Sequence, residues 1–252
     1  MAATSKASLS MVMPMAGRGS RFARRGETAP KPLLELHGRP FFWWATESLR
    51  RAVRIEEMVF VVLAEHCAAH GVDRRIEALY PDAKVIALPE VTSGAAETAA
   101  IGARALTKKG PLAVNDCDHA FDCPELAATS ARLHDDVDGA LLCFRSENPA
   151  YSFVRLDDEG AVVGTVEKAA ASPFAIAGCY MFSSPGALAA LYDDYRSDCP
   201  YAELYVSGLY NKLAARGGAI EMREMRRHIS FGTPEERDRL DPKLFEADFA
   251  WS

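Results

Sequence analysis

No apolar run in the 252-residue chain approaches the roughly 18–20 residues needed to span a bilayer, which excludes an integral membrane protein. Basic charge is also short. Against 35 acidic side chains there are 29 Lys and Arg, a net charge of −6, and a nucleic-acid partner would want the opposite balance. The six cysteines (Cys67, Cys117, Cys123, Cys143, Cys179, Cys199) show no paired spacing, so they read as reduced, mostly buried thiols of a cytoplasmic protein. Residues 1–10, MAATSKASLS, lack the apolar stretch of a signal peptide and read as a disordered N-terminus. There is no Pro/Ser-rich linker, internal repeat or low-complexity tract, so residues 11–252 read as one domain.

What the chain does have is alternation. Met58–Leu63 (MVFVVL) is continuously apolar and β-branched, as a strand buried on both faces should be. Met11–Met15, Lys84–Leu88 and Leu112–Val114 read as further strands, with helices expected at Phe41–Ala52, His66–Leu79 and Ala95–Leu106. From about residue 136 the expected strands are Ala140–Phe144, Tyr151–Leu156, Ala161–Glu167, Ala175–Phe182 and Ala219–Met225, with helices over Pro185–Tyr195, Glu203–Arg216 and from Pro234. This order predicts a three-layer α/β/α fold on a mixed, mostly parallel sheet. About 11–120 would form a nucleotide-binding half and about 121–240 the other wall of a cleft.

The densest chemistry lies in Met13–Leu34, MPMAGRGSRFARRGETAPKPLL. Glycines at 17 and 19 let backbone N–H groups converge on an anion, and Arg18 and Arg21 add charge suited to phosphate oxygens. Lys31 stands between Pro30 and Pro32, which fix the backbone on both sides of an ammonium. The alternatives fail on what is missing. Phe22 occupies the third glycine position of a dinucleotide fingerprint, and no G-K-[ST] closes a Walker loop. A plain glycine turn with surface arginines is the bland alternative, and the R-F and P-K-P-L additions weigh against it.

Asn115-Asp116-Cys117-Asp118-His119 follows the strand Leu112–Val114, placing hard carboxylate oxygens suited to Mg²⁺ where α/β sheets bind ligands. Taken alone, it is equally an Asp-rich turn. Thr92-Ser93-Gly94 precedes a helix and leaves N–H groups free for a ligand, or simply caps that helix. Val166-Glu167-Lys168 ends a strand, where an exposed ion pair is common. Glu203 would be a favourable charge at a helix start. His66, Cys67 and His70 lack a fourth ligand for zinc, and Phe41-Phe42-Trp43-Trp44 reads as packing beneath the loop.

G-x-G-x-R-F, P-K-P-L, Gly38-Arg39-Pro40 and the late Gly232-Thr233-Pro234-Glu235 together resemble the sugar-phosphate nucleotidyltransferases that make nucleotide sugars. The likeness covers nearly the whole chain and is nearest to the short, single-domain members of capsule and surface-polysaccharide pathways. It implies in-line attack of a substrate phosphate on the α-phosphorus of an NTP, CTP being favoured. Ala16, Gly17, Arg18, Gly19 and Ser20 would bind the triphosphate, with Arg21 and Lys31 catalytic. Thr92 and Gly94 would contact the base. Asp118 would hold Mg²⁺, with Asp116 an extra carboxylate beside it. Glu167, Lys168, Gly178 and Glu203 would border the acceptor, a sugar phosphate or else a non-sugar phosphate or phosphonate. Many relatives carry a second metal-binding aspartate where this chain has Ser230. Two rival readings stay open: a glycosyltransferase using Asp116-x-Asp118 as its metal motif, and an NTP-binding protein without turnover. The partners implied are an NTP and a small acceptor, with no nucleic acid or membrane and with room for a homo-oligomer.

Overall fold

The computed structural model describes residues 7–133 and 135–249. Strand β1 (Ser8–Met15) leads into the short helix α1 (Ser20–Arg24), a 3-10 turn (Lys31–Leu33) and the two-residue ladder of β2 (Glu35–Leu36) and β3 (Arg39–Pro40). Then come α2 (Phe41–Ala52), β4 (Arg54–Leu63), α3 (Ala64–His70), α4 (Val72–Leu79), β5 (Lys84–Leu88), α5 (Ala95–Arg104) and β6 (Leu112–Asn115). After these the chain forms β7 (His119–Asp122), α6 (Leu126–Arg132), β8 (Gly139–Arg145), β9 (Ser152–Leu156), β10 (Val162–Glu167) and β11 (Phe174–Phe182). It closes with α7 (Pro185–Tyr195), α8 (Gly208–Ala215), β12 (Ile220–Glu224), β13 (Arg227–Ser230), α9 (Pro234–Asp238) and α10 (Pro242–Asp248).

The layers follow from the strands' two faces. Met11, Met13 and Met15 of β1, with Phe60 and Val62 of β4, pack against Phe42, Ala45 and Leu49 of α2 and Val72 and Ile76 of α4. The intervening Val12, Val59 and Val61 turn the other way, toward the alanines of α5 and Leu188, Leu191 and Leu209 of α7 and α8. Period-two alternation with apolar residues on both sides requires a helical layer on each face.

The main sheet runs β10-β9-β11-β6-β1-β4-β5, with β8 also paired to β11 and β12 paired to β8. Strands β6, β1, β4 and β5 are mutually parallel, while β11 is antiparallel to β6, β8 and β9. The chain moves outward from β1 to β4 and β5, then returns to lay β6 on β1's other side. At such a reversal the loops leaving the two strands part, opening a crevice at their carboxyl ends. Here those loops are Gly17–Arg21 and Asp116–Asp118. Among the described residues no helix is long and apolar enough to cross a membrane.

Three expectations are corrected. Strand β1 begins at Ser8, paired with Arg54, so Ser8–Ser10 of the supposed disordered segment are ordered by the neighbouring strand; residues 1–6 lie outside the described residues. The helix expected over His66–Leu79 is two helices, because Gly71 adopts the left-handed conformation (φ 65°) that ends α3. The helix expected from Glu203 starts only at Gly208. Leu204 is held extended, donating its N–H to the Ser93 carbonyl (3.0 Å) and accepting from Ala96 N–H (2.8 Å). The antiparallel ribbon of β7 and β13 and the helices α6 and α10 are additions to the sequence reading.

Candidate active site

A cavity of about 1030 Å³ opens at the carboxyl ends of β1 and β6, large enough for a nucleotide with a small partner. Its first wall is the glycine loop. Gly17, Gly19, Ser20 and Arg21 line it, together with Arg24, which the sequence reading passed over. Gly19 takes φ 59°, and a Cβ there would stand 2.9 Å from Lys31 Cβ, so the loop and the P-K-P segment pack closely only with glycine at this position. Beneath the loop Phe22 meets Phe41 edge-on (5.9 Å between centroids), and Phe41 meets Phe231 (4.6 Å), so this part of the aromatic run is packing.

Lys31 and Asp118 form an ion pair inside the cavity, each side chain 21% exposed. Burial works against both charges, yet each stabilises the other. The Lys31 ammonium is held above its ordinary pKa by Asp118, and the Asp118 carboxyl below its own by Lys31. Asp116 is different. Burial and the Asp118 charge push it up to about 7, with Lys31 opposing. Gly178 (φ 72°) makes room for it: a Cβ there would lie 2.7 Å from Asp116 Oδ2, and Asp116 N–H donates to the Gly178 carbonyl (2.8 Å). Thus Gly178 touches the acid cluster directly.

At the far end Glu167 accepts hydrogen bonds from the Ser152 (2.6 Å) and Ser207 hydroxyls, which fix it in place. Lys168 is a non-glycine residue at φ 53°, a strained conformation of the kind that gathers at binding sites. Its ammonium reaches Tyr205 Oη at 2.7 Å, and that hydrogen bond raises its pKa. Glu203 also lines the cavity, from a bend ahead of α8. The ribbon contributes His119, His228 and Ser230 to the lining, and Phe144 packs against His228 with their rings tilted by 30° (4.1 Å between centroids). Tyr151, a further lining residue, donates to Glu236.

Not every expected residue faces this space. Ala16 is buried in the sheet core, and Arg18 is turned to the surface beside Glu65 (3.6 Å). The Thr92 hydroxyl bonds the Gly94 carbonyl (2.9 Å) and Thr98 (2.6 Å), while Gly94 packs on the Leu204 backbone. From that segment Ala95 lines the cavity. Arg24 carried no distinguishing signal among four neighbouring arginines. His119, His228 and Tyr151 become site residues only through pairings across some hundred residues of chain.

The match to a family model described as the MobA-like NTP transferase domain covers residues 12–229. No curated protein matches the sequence. Among solved structures, the nucleoside-diphosphate-sugar pyrophosphorylase from Vibrio cholerae RC9 is 26% identical, with a TM-score of 0.77, over 90% of this chain and 98% of that one. The inositol-1-phosphate CTP transferase from T. maritima shares the fold at 16% identity and a TM-score of 0.74, over 96% and 94% of the two chains. With the glycine loop, Lys31 and the Asp116–Asp118 acids converging on one cavity within the matched segment, the chain belongs to the MobA-like NTP transferase domain family and is a nucleotidyltransferase.

Proposed function

We propose that this nucleotidyltransferase joins the NMP part of an NTP, CTP in first place, to a sugar phosphate and releases pyrophosphate, serving surface-polysaccharide assembly in the cytoplasm. The observation that carries this reading is the Lys31–Asp118 pair, set in the cavity beside the Gly17–Arg21 loop. The loop's N–H groups would receive the triphosphate. Arg21 and Lys31 would then neutralise charge at the α-phosphate and on the leaving pyrophosphate. The acceptor's phosphate oxygen forms the new bond to the α-phosphorus as the α–β bridge breaks. Lys168 would hold that acceptor phosphate between Glu167 and Glu203, with Gly178 shaping the wall; Thr92 and Gly94, turned away from the cavity, would act on the base only by placing Ala95 toward it. Chemistry of this kind rests on positioning and charge neutralisation.

Asp118 and Asp116 fit a divalent cation. Both line the cavity two residues apart, and Lys31 pairs with Asp118 alone, so a cation would find two hard carboxylates with one ammonium between them. No third acidic, histidine or cysteine ligand joins them among the described residues, so phosphate oxygens and water would complete a Mg²⁺ shell. When bound, Mg²⁺ supplies charge neutralisation across the phosphates.

The test is pyrophosphate release over a matrix of CTP, UTP, dTTP, GTP and ATP against sugar 1-phosphates and non-sugar phosphates and phosphonates. Turnover with one NTP and a sugar phosphate is the expected result, and Lys31→Ala should lower kcat/KM by about two orders of magnitude or more while the fold survives. Turnover only with a non-sugar acceptor would correct the substrate. NTP binding without pyrophosphate from any acceptor would overturn the proposal, as would binding of NDP-sugars with no response to NTPs.

A further inference from the structure

None of Pro234–Asp238 lines the cavity, yet α9 reaches Tyr151 in its wall and the α1 segment that follows the glycine loop. Just before it, Phe231 N–H donates to the Asp118 carbonyl (2.9 Å), and Gly232 lies so close to the Asp118 carboxylate that a Cβ has no room. Glu236 accepts from Tyr151 and from Thr233 N–H (2.9 Å). Other side chains of α9 reach α1 and the turn after it, directly beyond the glycine loop. Arg237 Nη1 pairs with Glu27 Oε1 at 2.5 Å, and its guanidinium lies over the Phe22 ring, 5.3 Å from the centroid. Arg25 pairs with Asp238 (2.8 Å) and with Glu235 (3.9 Å).

These contacts differ in weight. Arg25, Glu235 and Asp238 are each about half exposed, and such pairs contribute little. Arg237 and Glu27 are 26% and 31% exposed, and Arg237 also covers a buried aromatic ring. One partner, Phe22, is the buried residue of α1, and the other, Glu27, lies just beyond its end. Phe22 follows Arg21 directly and donates its N–H to the Gly19 carbonyl (2.9 Å), while Glu27 N–H donates to the Phe22 carbonyl (3.2 Å). A five-residue helix with no side-chain cap, flanked by Gly17, Gly19 and Gly26, cannot order itself. It needs an external hold.

We propose that Arg237 is a positioning residue for nucleotide binding: by clamping Phe22 and Glu27 it fixes the Gly17–Arg21 loop in register with Asp118, without touching the nucleotide. The inference rests on the reading of that loop as the triphosphate site. A loop ordered in advance loses less entropy on binding, so the clamp acts on nucleotide affinity and leaves the acceptor end alone.

The experiment is calorimetric titration of the full chain with Mg²⁺-CTP and with inorganic tripolyphosphate, for wild type, Arg237→Ala, Arg237→Lys and Glu27→Gln. The expected result is at least tenfold weaker binding in Arg237→Ala and in Glu27→Gln, partial recovery in Arg237→Lys, and a melting midpoint for Glu27→Gln within a few degrees of wild type. In steady state the KM for the nucleotide rises while the acceptor KM holds. Binding unchanged in both loss variants overturns the inference and leaves the nucleotide reading standing. So does a loss that follows the melting midpoint in Arg237→Ala and is absent in Glu27→Gln. If the wild-type chain binds neither probe, the nucleotide reading fails and this inference with it.

Discussion

Gly178 shows how much a single residue decides in this cavity. It combines a left-handed backbone with the close approach of Asp116 Oδ2, so Gly178→Ala meets two penalties at once. A non-glycine residue in that region costs of order 1–3 kcal/mol, and the new methyl group must displace a buried carboxylate. For a chain of this size, each kcal/mol lowers the melting midpoint by roughly 2–4 °C. The expected outcome is a melting midpoint several degrees lower, with a loss of pyrophosphate release larger than the stability change explains. A variant that melts and turns over like wild type would show that Asp116 does not need this wall. Sequence reading placed Gly178 at the site by resemblance; that it serves the acid cluster follows only from β11 folding back over the Asp116 turn. Lys31 was more legible, because two flanking prolines mark a stiffened segment wherever it folds.

The β7–β13 ribbon is the element least visible in the sequence. Each strand has four residues, and the partners are joined across the chain as Ser230↔His119 and His228↔Phe121, which sets both histidines on one face. Elements like β4 announce themselves through a long apolar run, and α2 through its periodicity, whereas a four-residue strand depends on a partner that sequence reading cannot see. Likewise the start of α8 was misplaced because Leu204 bonds the Ser93–Ala96 backbone. The ribbon carries a pH prediction. His119 is 2% exposed and lowered to about 4 by burial; burial and then His119 lower His228 as well. His119 Nε2 meets Asn115 Oδ1 (3.0 Å), and His119 Nδ1 and His228 Nε2 are buried and meet no hydrogen-bond partner among the described residues. Because the folded pKa values lie below the unfolded value of about 6.5, the unfolded chain takes up protons first. Stability from these groups is complete above about pH 6.5 and drains as pH falls toward 4, at up to about 1.4 kcal/mol per pH unit for each histidine. Asp116, raised to about 7, takes up a proton in the folded state over the same window and offsets part of this loss. Urea midpoints between about pH 6.5 and 4.5 should therefore fall by less than the two histidines alone would give, and His228→Gln should flatten the profile. A wild-type profile equally flat over that range would mean that the His228 ring remains paired or hydrated.

For the whole molecule, the division into halves has a kinetic consequence. The parallel strands β1 and β6 present the glycine loop, Lys31 and the two aspartates, while the antiparallel β9–β10 hairpin presents Glu167 and Lys168 from the opposite wall. Lys168 is tied to its own half. Its N–H donates to the Tyr151 carbonyl (3.1 Å) and its ammonium to Tyr205, with no contact to the glycine loop among the described residues. A hydrogen bond to a charged group contributes about 1.5–3 kcal/mol, a factor of roughly 10–150 in binding. Lys168→Ala should therefore raise the acceptor KM by about that factor while the nucleotide KM stays within about twofold, because in the proposed arrangement the triphosphate meets only the other wall. Lys31→Ala acts at the reacting phosphate and should instead depress kcat. Steady-state kinetics with each substrate varied in turn separates the two patterns. Equal rises in both KM values for Lys168→Ala would show that its ammonium reaches the nucleotide, and that the two walls of the cavity do not divide the substrates between them.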